Sequence, residues 1–113
     1  MNLRIEGKQL RFRIAREELE ALCAGDVLTS ITPLPDGASL EVSITADGNG
    51  STPLTLQHDS HRLMLHVGKK AAADLLASLP NREGMEATQR LHDRNALHLV
   101  LEVDIRSQKR KRP

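Results

Sequence analysis

The chain has almost no aromatic residues. Its 113 residues include one Phe, Phe12, and no Trp or Tyr. Proteins that bind single-stranded nucleic acid without sequence preference stack the bases on aromatic side chains, so the body of this protein does not fit that class. The hydrophobic core must be built from Leu, Val, Ile and Ala, and we expect such a core to tolerate cavities poorly.

Cysteine and long apolar segments are equally scarce. Cys23 is the only cysteine, so no internal disulfide can form. It lies four residues after Leu19 on the apolar side of a predicted helix, which predicts a buried thiol. No segment approaches the ~18 apolar residues of a membrane span, and the first ten residues are too polar for a signal peptide. We therefore expect a cytoplasmic protein.

Sequence motifs of catalysis are missing too. There is no Gly-x-Ser-x-Gly elbow, no phosphate-binding loop and no dinucleotide fingerprint in the chain. The neighbouring carboxylates Glu17 and Glu18 are explained by a helix start, where acidic side chains favour the positive helix end. A domain of this size leaves little room for a deep pocket. We assign no catalytic residue and no cofactor, and we keep a small enzyme or metal protein as the third alternative.

The five histidines include one pair with metal-ligand spacing. His58 and His61 form a His-x-x-His segment with Asp59 between them. A structural zinc site needs four ligands, and a catalytic site needs three ligands and a water. No Cys pair lies nearby, and the helical His-Glu-x-x-His pattern is missing. We interpret the segment as a polar hairpin turn and assign no metal ligand.

What the sequence does contain is the same order of elements twice. A strand, a strand, a helix and two further strands are predicted in residues 1–47 and again in 52–104. Leu10, Phe12 and Ile14 alternate with arginines in the first half, as Leu63, Leu65 and Val67 alternate with Met64 and His66 in the second. The Gly- and Pro-containing segment 47–53 separates the halves.

This order predicts one α+β domain over residues 1–104, made of two ββαββ-like halves. Short hairpin connections favour mostly antiparallel pairing, in one curved sheet or a small barrel with two helices packed against it. Leu99, Val100 and Leu101 are consecutive apolar residues, which indicates a strand buried on both faces and therefore central. The strand predicted at Val27–Ile31 is a candidate edge strand, and an exposed edge of this kind can pair with a second copy to form a homodimer.

The net charge of +1 hides a division along the chain. Residues 1–104 carry a net charge of −4, and the predicted tail 105–113 carries +5. Such a tail can contact nucleic acid weakly and nonspecifically, an anionic surface or an acidic partner, in a salt-dependent way. The ordinary alternative is a disordered, solubilising end. The basic residues of the tail are Arg106, Lys109, Arg110, Lys111 and Arg112.

A second basic group lies on the predicted N-terminal hairpin. Arg4, Arg11 and Arg13 should share the face opposite the apolar residues of the two strands. Three guanidinium groups on one face can hold a phosphate or carboxylate by bidentate hydrogen bonds. The ordinary alternative is cross-strand ion pairing with Glu41, Glu86, Glu102 or Asp104.

Several of these segments resemble a family of small bacterial proteins known only as a domain of unknown function. The resemblance rests on the opening LRIEGKQLRFRI, an IRIxGxxLRxRL-type hairpin, and on EELEALCAG, GMEATQ and the closing LVLEVD. It covers nearly the whole chain and implies a shared fold but no activity. The family pattern continues with an aromatic residue and a cysteine after the last strand, whereas this chain has Ser107 at the cysteine position.

The sequence thus predicts a cytoplasmic, non-catalytic module that binds an unidentified protein partner or a small anion through Arg4, Arg11 and Arg13. The alternative is an accessory protein that binds nucleic acid or an anionic surface through its basic tail.

Overall fold

The computed structural model of the chain describes residues 1–48 and 52–108. Eight strands, three α-helices and a short 3-10 turn at Pro35–Gly37 make up this part of the protein. The elements are β1 (Asn2–Glu6), β2 (Gln9–Ile14), α1 (Arg16–Cys23), β3 (Leu28–Pro33), β4 (Ser39–Gly48), β5 (Leu54–Asp59), β6 (Arg62–Gly68), α2 (Lys69–Ala77), β7 (Met85–Arg90), β8 (Ala96–Val103) and α3 (Ile105–Gln108).

The strands form two four-stranded sheets. Sheet I has the order β1-β2-β8-β7, and sheet II has the order β3-β4-β6-β5. The outer pairs of each sheet are antiparallel, as the sequence predicted. The central pairs, β2 with β8 and β4 with β6, are parallel, which the sequence did not predict. The α+β class with mostly antiparallel sheets is confirmed, but the sheets form neither one curved sheet nor a closed barrel.

Each sheet combines strands from both predicted halves. Sheet I takes β1 and β2 from the first half and β7 and β8 from the second, whereas sheet II takes β3, β4, β5 and β6. By their place in the two halves, β1, β2, β7 and β8 correspond to β5, β6, β3 and β4. Replacing each strand of sheet I by its counterpart gives the order β5-β6-β4-β3, which is sheet II read in reverse. The duplication of one unit nevertheless remains a prediction. The predicted central position of the last strand is confirmed, because β8 lies between β2 and β7.

One hydrophobic cluster connects both sheets and the two longer helices. Alternation along β2 directs Phe12 and its apolar neighbours into this cluster, and β8 contributes Leu99 and Leu101. Helix α1 adds Leu19 and Leu22. Sheet II contributes Val42, Ile44, Leu54, Leu65 and Val67, and α2 contributes Ala72 and Leu75.

A side chain joins the two sheets where an edge of one meets an edge of the other. Gln89 of β7 in sheet I accepts the N–H of Leu56 in β5 at 2.7 Å and donates to its carbonyl oxygen at 3.0 Å. The opposite edges, β1 and β3, have no further strand partner in the described part of the chain. The two sheets are therefore joined where β5 meets β7, whereas the edges formed by β1 and β3 are open in the described part of the chain.

The first residues of the predicted tail belong to the packed structure. Residues Ile105–Gln108 form α3, and Gln108 is buried. The Gln108 side-chain amide donates to the carbonyl oxygens of Asn81 and Val103 and accepts the N–H of Asn81. Ser107 Oγ accepts the N–H of Arg16 at 2.9 Å, which ties α3 to the start of α1.

The prediction of a buried Cys23 is wrong. Cys23 is the last residue of α1, and its side chain is exposed, although Leu19 on the same side of the helix is buried. The helical period gives the direction of a side chain, but the helix ends here, and of its last two residues only Leu22 is covered by the core. Within residues 1–48 and 52–108, no helix is long and apolar enough to cross a membrane.

Candidate functional site

The outer face of sheet I brings the three predicted arginines together. Alternation places Arg11 and Arg13 of β2 opposite the core side, and β1 pairs Arg4 directly with Arg11. On the other side of β2, the parallel ladder sets Glu102 of β8 beside Arg13. We call the surface formed by Asn2, Arg4, Arg11, Arg13 and Glu102 the arginine face.

Two of the arginines share one carboxylate. Arg11 Nη1 lies 3.1 Å from Glu102 Oε2, and both Nε and Nη2 of Arg13 lie 3.0 Å from Oε1. The Glu102 side chain is only 11% exposed, against 39% for Arg11 and 52% for Arg13. A carboxylate in this position is stabilised because both oxygens accept charge-assisted hydrogen bonds. Of the four acidic partners that the sequence offered, the structure selects Glu102.

Arg4 is left without such a partner. It makes no salt bridge to any residue of the described ranges, yet it stands directly opposite Arg11. Like charges facing each other across an antiparallel pair are destabilising. Three guanidinium groups and one carboxylate leave the arginine face with a net charge of +2. The surface is therefore positive even though residues 1–104 together carry a net charge of −4.

The shape of this surface limits what it can hold. The hollow of the arginine face has a volume of about 20 Å³, which is room for about one water molecule. A second hollow of about 100 Å³ lies beyond Arg13, where Arg82, Asp104 and Ile105 form part of its wall. An anionic group can be bound on the surface here, but a whole small molecule cannot be enclosed.

A larger cavity than these two hollows lies elsewhere, between α2 and the loop that follows it. It measures about 350 Å³ and is lined by Leu75, Ser78, Met85 and five other residues. Its only ionisable side chain, Asp74, pairs with Lys70 at 3.0 Å. The Ser78 hydroxyl donates to the carbonyl oxygen of Leu75. The cavity thus offers no free charged group to orient a ligand.

The histidines do not form a metal site in the described part of the chain. His58 and His61 are both exposed, and no group of three His, Cys, Asp or Glu side chains is placed to hold a metal ion among these residues. Both ring nitrogens of His66 have hydrogen-bond partners, and the sequence reasoning missed this residue. Its Nδ1 lies 2.9 Å from Asp47 Oδ1 and its Nε2 lies 2.7 Å from Gln57 Oε1. No spacing in the sequence signals this group, since Asp47 is on β4 and Gln57 is on β5.

The predicted basic tail is described only at its start. Arg106 is exposed on α3, while Lys109, Arg110, Lys111 and Arg112 lie outside the described residues. Ser107, at the position where the family pattern would have a cysteine, donates its hydroxyl to the Asp104 carbonyl oxygen at 2.7 Å. In this chain the side chain of residue 107 therefore makes hydrogen bonds within the fold.

Cys23 is a weak candidate for thiol chemistry. Partial burial of the sulfur atom and, to a lesser extent, the nearby Glu20 carboxylate raise the pKa of this thiol above its usual value. The reactive form of cysteine is the thiolate, and a raised pKa lowers its fraction at neutral pH. Cys23 therefore carries a smaller thiolate fraction at neutral pH than an ordinary surface cysteine.

Comparison with known proteins gives one match. The model of a family described as a family of unknown function (DUF7009) matches residues 1–111. The chain belongs to DUF7009. The match covers the arginine face, both sheets and α3, so these elements lie within the family region of this DUF7009 protein. No curated protein and no solved structure matches the chain.

Proposed function

We propose that this DUF7009 protein is a non-catalytic binding module whose arginine face binds a carboxylate or phosphate group of a partner. The observation that supports this function is Arg4, which lacks a salt bridge within the described residues and lies beside two arginines that share a single carboxylate. An anion above Arg4 and Arg11 would relieve the repulsion between them. Guanidinium groups suit this role because their planar fork matches both carboxylate and phosphate oxygens.

The shallow surface favours an anionic group carried by a larger molecule. A hollow of about 20 Å³ supplies few contacts beyond the charges themselves. Binding of a free anion should therefore be weak, and a protein partner would add contact area around the charged group. Cytoplasmic location and bacterial origin remain predictions from the sequence.

The first test is NMR titration of the whole protein with inorganic phosphate and, separately, with a short glutamate-rich peptide. We expect both to shift the amide signals of β1 and β2, and the peptide to bind more tightly. Arg4→Gln should weaken binding by about 10- to 150-fold, since a hydrogen bond to a charged group contributes about 1.5–3 kcal/mol. Arg90→Gln is the matched control, because Arg90 is exposed at the other edge of sheet I. Equal losses in both variants, or no shift at β1 and β2, would contradict the proposal.

Glu102 gives a second test with the opposite sign. Glu102→Gln raises the net charge of the arginine face, so phosphate should bind more tightly. The same change removes the carboxylate that holds Arg11 and Arg13, so the free energy of unfolding should fall by about 1–3 kcal/mol. Glu86→Gln is the control, since Glu86 is 62% exposed and pairs with His98 on the same sheet. Unchanged or weaker phosphate binding by Glu102→Gln would show that Glu102 does not compete with the anion.

The alternative function assigns binding to the basic tail. Its support is the excess of positive charge in residues 105–113 over an acidic body. A chain that ends at Gln108 separates the two functions, because the packed part of α3 is kept. Loss of binding in that variant together with full binding by Arg4→Gln would favour the tail.

A further inference from the structure

The edge strand β3 is uncharged and is flanked by exposed apolar residues. From Val27 to Pro35 the chain contains no charged residue. Val27 is 58% exposed, Ile31 62% and Leu34 40%, and five of the six residues of β3 are exposed. An open strand edge with these properties is a template for pairing with another strand. Proteins normally protect such an edge with charges, bulges or a covering element.

The other three edges of the two sheets are protected. Where β7 and β5 meet, the Gln89 side chain hydrogen-bonds both the N–H and the carbonyl oxygen of Leu56. Strand β1 carries Arg4 and Glu6 among its exposed residues. Charges of this kind oppose the approach of another strand. In the described residues, β3 is the one edge that has neither a charge nor a covering side chain.

We propose that β3 pairs antiparallel with β3 of a second copy of this chain, about a two-fold axis at Ser30. The two copies of sheet II would then form one continuous sheet. For the core sides of both copies to face the same way, each outward residue must stand opposite an outward residue of the partner strand. Centring the pair on Ser30 meets this condition. It sets Thr29 opposite Ile31 and Leu28 opposite Thr32, reciprocally in the two strands.

The chemistry of the strand favours a second copy as the occupant. A charged strand from another protein would place an unpaired charge against Ile31, whereas β3 itself brings only uncharged residues. The pairing sets β-branched Thr29 against β-branched Ile31, a combination that stabilises sheets. Pro33, which has no N–H to donate, falls at the end of the ladder opposite Val27. An isologous contact of this kind closes on itself and produces a dimer rather than a fibre.

Cross-linking of the full-length chain tests the pairing and its register. Cys23 is first changed to Ser, because it is exposed and would form disulfides of its own. In that background Ser30→Cys places two thiols directly across the axis, within disulfide distance, whereas Thr32→Cys places them several residues apart. We expect mild oxidation to give a covalent dimer of Ser30→Cys and none of Thr32→Cys. Equal cross-linking of both variants, or none of either, would overturn the proposed pairing.

Sedimentation equilibrium provides an independent readout without cysteines. We expect the unmodified chain to be a dimer, and Ile31→Lys to be a monomer because a lysine would face Thr29 of the other strand. Ile5→Lys, which adds the same charge to an exposed position on β1, should remain a dimer. A monomeric unmodified chain would overturn the proposal, and so would a dimer that survives Ile31→Lys. A monomer that binds an unrelated strand peptide at β3 would show that the occupant is a different protein.

Discussion

Gly84 lies in the loop after α2 and is packed against β8. Its φ of +70° is a left-handed conformation that side chains other than glycine rarely adopt. A β-carbon at this position would overlap the carbonyl oxygen of Leu101 and come within 2.9 Å of Glu102 Cα. The loop can therefore pack beside Glu102, the carboxylate of the arginine face, only because residue 84 has no side chain.

Gly84→Ala should destabilise the protein more than an ordinary left-handed glycine would. Gly37 is the matched control, because its φ is +77° and nothing lies within 4 Å of the position that a methyl group would occupy. Gly37→Ala should cost about 1–2 kcal/mol of unfolding free energy for backbone strain alone. Gly84→Ala should cost about 1–3 kcal/mol more, because a methyl group is forced against backbone atoms. Urea denaturation of both variants measures the difference, and equal losses would contradict the predicted overlap.

For single residues, the sequence predicts the direction of a side chain better than it predicts which residues contact that side chain. The alternation of Leu10 to Ile14 correctly places Arg11 and Arg13 away from the core. It cannot identify Glu102 as their shared partner, because that depends on which strand lies beside β2. The exposed Cys23 has the same cause, since an apolar direction on a helix buries a residue only where another element is present.

Among the elements, the junction of β5 and β7 depends on one side chain. Gln89 satisfies both the N–H and the carbonyl oxygen of Leu56, two backbone groups at the edge of sheet II. Its amide has one donor side and one acceptor side, which matches a peptide group turned toward it. An apolar residue of similar size could fill the space but would leave both backbone groups without these partners.

Gln89→Met should therefore loosen the junction between the sheets. We expect a loss of about 1–3 kcal/mol in unfolding free energy for the unpaired backbone groups. The Leu56 amide should also exchange its hydrogen faster, which NMR measures directly. Thr88→Val is the control, because Thr88 is the exposed neighbour on the same strand. Unchanged protection of the Leu56 amide in Gln89→Met would show that the junction is held by other contacts.

Elements were easier to predict than their pairing. Period-two alternation predicts β2 and β6, and the consecutive apolar residues Leu99, Val100 and Leu101 predict the central position of β8. The same patterns suggested hairpin neighbours and missed both parallel central pairs. A parallel partner far along the chain is selected by burial in the common core, and local alternation contains no information about it.

For the whole molecule, the exchange of strands makes the two predicted halves mutually dependent. The central pair of each sheet takes one strand from residues 1–48 and one from the rest of the chain. We expect fragments 1–48 and 52–113 to be unfolded separately, because each would leave unpaired one edge of a strand that has a neighbour on both sides in the intact sheets. An equimolar mixture should recover the circular dichroism spectrum of the intact chain. Cooperative thermal unfolding of fragment 1–48 alone would contradict this expectation.

The long separation of β2 from β8 also sets an order for events during protein synthesis. Leu10 pairs with Leu99, so the first hairpin has no central partner until most of the chain has been made. At about 5–20 residues per second, the delay is roughly 5 to 18 seconds. Sheet II, whose strands end at Gly68, can assemble on the ribosome before sheet I. During that interval the apolar side of the first hairpin is open to chaperones and to neighbouring nascent chains.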